Sequence, residues 1–137
     1  MRFVYLDTCA ALKLFKEEVE SEALERWLND RADARQITSY LTRTELRRAL
    51  HAAGARPETL KRAAEWSNRT AQLRMPAEVF DAAGELSPGT RLRSLDALHV
   101  ACALGLGTAL IGFVTYDVRL AKAAEAEGLP VVSPEPR

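Results

Sequence analysis

Apolar and polar positions along the chain fall into blocks that switch repeatedly between the strand and helix periods. Arg2 to Leu6 is a short, β-prone apolar run ending at Asp7, and it predicts a buried strand. Thr8 to Phe15 predicts a helix. Ser21 to Ala32 predicts a second, with Leu24, Trp27 and Leu28 at spacings of three and four. Gln36 to Ser39 is a brief strand, and Leu41 to Ala53 a helix with Leu46, Ala49, Leu50 and Ala53 on one stripe, closed by Gly54. Pro57 suits the first turn of a helix running towards Thr70. Leu73 to Met75 is a weak third strand, and Pro76 starts a helix reaching about Leu86. Ser87-Pro88-Gly89-Thr90 is a loop. Ser94 is then a candidate N-cap for a helix through Leu104, with Leu95, Leu98 and Cys102 in register and Gly105 and Gly107 beyond. Leu110 to Thr115 is the clearest strand and Val118 to Glu127 the last long helix, before Gly128-Leu129-Pro130 turns the chain into a short strand at Val131 and Val132. This alternation predicts an α/β domain over residues 1–137, with a central parallel sheet and helices on both faces. In such folds a ligand lies beyond the carboxyl ends of the strands.

Composition narrows the picture. A chain of 137 residues, 47% hydrophobic and 28% charged, has enough core to fold without a disulfide or a structural metal. No apolar stretch approaches the length of a membrane span, and the N-terminus lacks the pattern of a signal peptide. Cys9 and Cys102 are far apart and belong to no CxxC pair, so they are expected as buried thiols in a reducing, cytoplasmic compartment. The net charge is zero, which argues against holding long nucleic acid by charge alone but leaves local handling of RNA open. The basic residues are mostly arginines, whose forks suit phosphate; codon bias produces the same skew.

The candidate chemistry lies in the acids. Asp7 and Asp117 follow two predicted strands, so a parallel sheet brings both to one rim. Asp96 falls in the first turn of the Ser94 helix, and Glu45 flanks the apolar stripe of its own helix. Singly, each has an ordinary explanation: Asp7 and Asp117 as helix caps, Asp96 as a partner of a helix dipole, Glu45 as a solvated residue. Together they crowd negative charge that a cation would neutralise. Magnesium or manganese suits an all-oxygen donor set. With no nucleophilic serine or cysteine constellation, such a cluster points to hydrolysis by metal-activated water, and phosphodiesters fit it.

Val4-Tyr5-Leu6-Asp7-Thr8, Thr38-Ser39 with Thr44-Glu45-Leu46, Leu95-Asp96-Ala97-Leu98-His99-Val100-Ala101, and Val114-Thr115-Tyr116-Asp117 with Arg119-Leu120-Ala121 and Gly128-Leu129-Pro130-Val131-Val132 form a set of motifs covering almost the whole chain. Together they resemble the PIN-domain ribonucleases, and in particular the toxin component of VapBC-type bacterial toxin–antitoxin pairs. The resemblance implies a three-layer α/β/α sandwich, a Mg2+- or Mn2+-dependent endoribonuclease, inhibition by a cognate antitoxin, and a homodimer. By position, Asp7, Asp96 and Asp117 would contact or orient the metal, and Glu45 would act directly or through a water. Thr8 and Thr115 would be hydroxyls behind the acids. The fourth acid, Asp117, is the most variable in the family.

His99 shares a helix face with Asp96; a general-base role competes with a supporting or packing role, and the latter is expected. Trp27 and Trp66 are expected to pack rather than stack on bases. Leu12, Leu14, Phe15, Val19 and Leu24 are either ordinary core or a groove for an antitoxin helix. Arg43, Arg47, Arg91, Arg93 and Arg119 lie near the acids in sequence and are candidates for RNA contact or plain surface. A receiver domain would want an acidic pair where Leu6-Asp7 stands, and an aspartate-nucleophile phosphatase a second aspartate where Cys9 stands. The remaining alternatives are a PIN-like module that binds RNA or protein without cutting, and a PIN nuclease of RNA processing.

Overall fold

The structure is a computed structural model described for residues 1–86 and 91–137; the loop expected at Ser87-Pro88-Gly89-Thr90 lies outside the described residues. Strand β1 (Phe3–Leu6) leads into the short helix α1 (Thr8–Leu12), followed by α2 (Ser21–Asn29), β2 (Arg35–Ser39), α3 (Tyr40–Ala52) and α4 (Pro57–Arg69). Then come β3 (Ala71–Leu73), α5 (Ala77–Glu85), α6 (Ser94–Leu104), a 3-10 turn at Gly107–Ala109, β4 (Leu110–Val114), α7 (Val118–Ala126) and β5 (Val131–Val132). All strand pairings are parallel, in the order β3-β2-β1-β4-β5. The expected parallel α/β/α sandwich is therefore the observed one.

Strand alternation builds the two faces. Val4 and Leu6 of β1 point into one core with Ala10, Leu24, Leu28, Leu46, Leu50 and Trp66, from α1 to α4. Tyr5, between them, points into the opposite core with Val100, Ala103, Phe113, Leu120 and Ala124, under α6 and α7. Helix α6 is apolar nearly all round because it is covered twice: Ala97, Leu98 and Ala101 meet Ala83 of α5, while Val100, Cys102 and Ala103 meet the sheet. Gly112 sits mid-strand in β4 because a Cβ there would come within 2.9 Å of the Trp27 ring. Trp66 packs edge-to-face on Phe15, and Trp27 lies under the Arg31 guanidinium, so both tryptophans are packing residues, as expected.

Helix ends follow local rules. Gly54, at φ +70°, closes α3: its N–H bonds the His51 carbonyl and Ala55 N–H bonds the Leu50 carbonyl, the paired pattern that a left-handed glycine permits. Several boundaries differ from expectation. Helix α2 ends at Asn29 and not at Ala32, and the Arg31 N–H bonds three residues back to the Leu28 carbonyl. Helix α1 stops at Leu12, since Leu14 and Phe15 N–H bond three residues back and tighten the last turn. Strand β3 starts two residues early, fixed by its register against β2, Ile37 opposite Ala71. Ser94 is not the N-cap of α6: Arg93 holds the extended cap position and no side chain caps the helix, while Leu95, expected in the apolar register, is 47% exposed. Among the described residues no helix is long and apolar enough to cross a membrane.

Candidate active site

The strand order reverses between β1 and β4, since β2 and β3 extend the sheet one way and β4 and β5 the other. That is where an open α/β sheet leaves a crevice beyond its carboxyl ends. Asp7 directly follows β1, and Thr115 directly follows β4; Asp7 N–H bonds the Val114 carbonyl at 3.2 Å and ties the two ends together.

Asp7 is the most enclosed of the four acids, at 2% exposure. Its Oδ1 accepts the Ala10 N–H at 2.8 Å and so caps α1. Its Oδ2 accepts the Thr115 hydroxyl, and the Cys9 thiol donates from 3.1 Å to both oxygens. Burial raises the Asp7 carboxyl above its ordinary value, and the hydrogen bonds from Thr115, Ala10 and Cys9 only partly offset it. Burial also pushes the Cys9 thiol up to about 12, helped by the neighbouring Asp7 charge, which makes Cys9 a donor and not a nucleophile.

Glu45 reaches the same rim from α3. Its Oε1 accepts the Thr8 hydroxyl at 2.6 Å and lies 2.9 Å from His99 Nε2. Burial works to raise the Glu45 carboxyl, but the bonds from His99 and Thr8, with the charges of His99 and Arg93, outweigh it and hold the group below its ordinary value. Asp117 caps α7, with Oδ1 accepting from Arg119 and Leu120 N–H, and its own N–H donates to Thr115 Oγ1 at 3.1 Å. Thr115 thus connects Asp117 to Asp7. Asp96, in the first turn of α6, shares Arg93 with Asp117: the guanidinium donates from Nε to Asp96 Oδ2 at 3.0 Å and from Nη2 to Asp117 Oδ2 at 3.1 Å.

Asp7, Asp117 and Asp96 are therefore joined through Thr115 and Arg93, while Glu45 is held separately by Thr8, the residue after Asp7, and by His99. The four acids do not converge on a single point. Among the described residues, no three His, Cys, Asp or Glu side chains are placed to hold one ion, and the cation between Asp96 and Asp117 is Arg93. The donor chemistry, four carboxylates and neighbouring hydroxyls, is that of a site for a hard divalent ion, with its charge balanced here by a guanidinium.

The arginine candidates separate. Arg93 belongs to the acids, while Arg43 is tied to the Ser67 carbonyl and Asn68 and joins α3 to α4. Of the apolar stretch, Leu24 is core, Leu12, Leu14 and Phe15 pack partly buried against it, and Val19 is exposed. Leu14 and Phe15, with Leu28 and Trp66, line a groove of about 660 Å³ rimmed by Arg35, Arg62 and Arg69. Sequence reading missed Tyr5, Thr38 and Thr42. Thr38 donates to the Leu6 carbonyl at 2.7 Å and meets Thr42, which meets Thr8, a hydroxyl ladder from β2 into α3. A tyrosine in a strand buried on both faces was the available signal, since its hydroxyl must find a partner.

Comparison with known proteins places the chain in a family. The PIN domain family model matches residues 4–126. Ribonuclease VapC35 of Mycobacterium tuberculosis is 44% identical over 133 residues, covering 96% of each chain. Ribonuclease VapC46 of the same species is 40% identical over 135 residues, covering 98% of this chain and 99% of its own. Two solved structures share the fold at a TM-score of 0.73: the M. tuberculosis sarcin-ricin loop cleaving toxin VapC20, 17% identical, and VapBC2 of Rickettsia felis bound to a promoter DNA fragment, 13% identical. Each covers 97% of this chain and 99% of its own. With the matched model, the shared fold and the acids at the strand-end rim, this chain belongs to the PIN-domain family and, within it, to the VapC-type toxins.

Proposed function

We propose that this protein is a Mg2+- or Mn2+-dependent endoribonuclease, the toxin of a type II toxin–antitoxin pair. The observation that carries the reading is the linkage of Asp7, Asp117 and Asp96 through Thr115 and Arg93 at the β1/β4 switch point, with Glu45 held beside them by Thr8, the residue after Asp7. The ribonuclease names of close relatives support RNA as the substrate. Asp7, Asp96 and Asp117, with Glu45, would hold the ion; when bound it supplies activation of water and offsets charge on the scissile phosphate. Thr115 keeps one Asp7 oxygen oriented, Thr8 and His99 do the same for Glu45, and Arg93 would have to release the two outer acids for them to hold an ion. Once released, Arg93 is placed to meet a phosphate oxygen.

The cognate antitoxin is the expected partner, and the Leu14–Phe15–Leu28–Trp66 groove suits a helix with apolar anchors. Half-exposed Tyr40 and Leu95, which line a hollow beside Glu45 with Leu41 and Met75, suit the expected homodimer contact. The test is cleavage of total RNA by purified protein with Mg2+, with chelator, and by Asp96→Asn. Discrete cuts that need the cation and vanish in the variant are expected; no cuts by a folded parent would favour a binding module. Mg2+ should also raise the parent's melting temperature, because the ion binds only the folded site.

A further inference from the structure

His99 is buried, at 2% exposure, yet both of its ring nitrogens are engaged. Nδ1 lies 2.7 Å from the Tyr5 hydroxyl, and Nε2 lies 2.9 Å from Glu45 Oε1. Tyr5 cannot move to release it: the phenol ring is stacked on Phe113, with centroids 5.2 Å apart and planes 5° from parallel, and meets the His99 ring edge-on at 5.9 Å. The elements involved come from opposite layers. Tyr5 and the α6 helix of His99 belong to one face of the sheet, while the α3 helix of Glu45 packs on the other through Leu46 and Leu50. The contact therefore crosses the carboxyl rim of the sheet from one layer to the other.

The direction of the hydrogen bonds follows from the chemistry. Complete burial holds the Tyr5 phenol well above its ordinary value, so it keeps its proton and needs an acceptor. With His99 Nδ1, 2.7 Å away, as that acceptor, the ring proton falls on Nε2, facing Glu45. The reverse tautomer would set the Nε2 lone pair against a carboxylate oxygen at 2.9 Å. Thr8 donates to the same Oε1, and none of the described residues donates to Oε2. Thr8 and His99 thus pin one oxygen of Glu45 and leave the other without a donor among the described residues.

We propose that Tyr5 and His99 are positioning residues for Glu45, acting in series: Tyr5 O–H fixes the His99 tautomer, and His99 Nε2–H fixes the Glu45 carboxylate with Oε2 presented to the cation and its waters. The role of Glu45 in cation binding rests on the nuclease reading above; the tautomer does not. Residues that orient a ligand from behind typically change metal affinity or activity by roughly 10- to 100-fold when removed.

Two readouts test this on the full chain. In metal-free protein, long-range 1H–15N correlation of the histidine rings should show His99 with its proton on Nε2; a proton on Nδ1 overturns the series. Tyr5→Phe, which keeps the stacked ring, should lose that single tautomer. Cation binding is followed by calorimetry with Mg2+ and Mn2+. His99→Met should weaken it roughly 10- to 100-fold, while His99→Gln, whose amide can still donate to Glu45, should recover most of the loss. In RNA cleavage the same pair should differ in kcat with KM little changed. Met and Gln variants that both match the parent overturn the positioning role and leave the nuclease reading standing. A parent that binds neither cation overturns the nuclease reading and the positioning role together. Should His99→Met fail to fold, Tyr5→Phe carries the binding comparison, and parental affinity in it counts against the proposal.

Discussion

Two pairs of acids share the carboxyl rim, and they are held by different means. Asp7 and Glu45 are gripped by donors that the fold itself puts in place: Thr115, Cys9 and the α1 backbone for one, Thr8 and His99 for the other. Asp96 and Asp117 are bridged instead by Arg93, a long side chain that is 69% exposed. A hydroxyl or backbone N–H can orient a carboxylate without cancelling its charge. A guanidinium cancels the charge, is screened by solvent, and leaves at little cost. The inner pair is therefore held by groups of the fold itself, and the outer pair by one exposed cation.

If that division is right, the acids themselves carry the largest effect. Asp7→Asn and Asp96→Asn should each lower cleavage on the order of a thousandfold, equivalent to several kcal/mol of transition-state stabilisation. Both should still fold, as circular dichroism would show. Either variant cutting like the parent would remove it from the site. Next comes the grip on the inner pair: Thr115→Val keeps the shape but removes the hydroxyl between Asp7 and the Asp117 N–H. Single-turnover cleavage should fall roughly 10- to 100-fold, whereas an equal loss on changing Arg93 would erase the contrast between the pairs.

The outer architecture of this contrast is legible in the sequence, and the inner one is not. Asp7 and Asp117 can be placed because they end apolar runs, and strand ends of a parallel sheet share a rim. Asp96 can be placed because the first turn of a helix is marked by the polar-to-apolar change at Ser94. The element pattern carries that much, with errors where local sequence is ambiguous: nothing in Thr8–Phe15 marks the tightening after Leu12, and Ser94, a good cap by type, lies one residue inside its helix. The intermediaries leave no periodic trace. Tyr5 meets His99 across 94 positions, and Thr8 meets Glu45 across 37, so only the folded topology pairs them. Arg93 was visible as a candidate by proximity, but its double contact depends on how α6 and α7 are seated together.

The inner pair should also split when stability is measured in chelator. The Asp7 carboxyl is raised in the folded protein, so its ionisation works against folding: stability present below the ordinary value of 3.8 is lost as pH rises through the folded value. Glu45 is lowered, so it contributes stability above its ordinary value of 4.5 that is lost as pH falls through the folded one. Asp7→Asn should then melt a few degrees above the parent at neutral pH, with the gap closing in acid. Glu45→Gln should melt below it. Thermal scans from neutral pH into the carboxylate range check both signs, and equal shifts in one direction would contradict the inner-pair description.

The smallest expected effect concerns Arg93, and it sharpens the comparison most. Arg93→Gln leaves Asp96 and Asp117 without their shared cation, so two carboxylates face each other with only water between. Without metal this should cost slight stability. With metal the sign reverses, because the ion no longer displaces a guanidinium, and half-saturation by Mg2+ should fall by a few-fold. Because the pairs with Arg93 are exposed, salt screens them, and both differences should shrink between low salt and roughly 1 M, where charges interact over only about 3 Å. The inner pair, more enclosed and held by groups of the fold itself, should show no such salt dependence in Thr115→Val. Mg2+ titrations followed by melting temperature, at the two salt concentrations, measure this directly. A variant that binds Mg2+ more weakly than the parent would mean that Arg93 organises the outer acids for the ion instead of standing in for it.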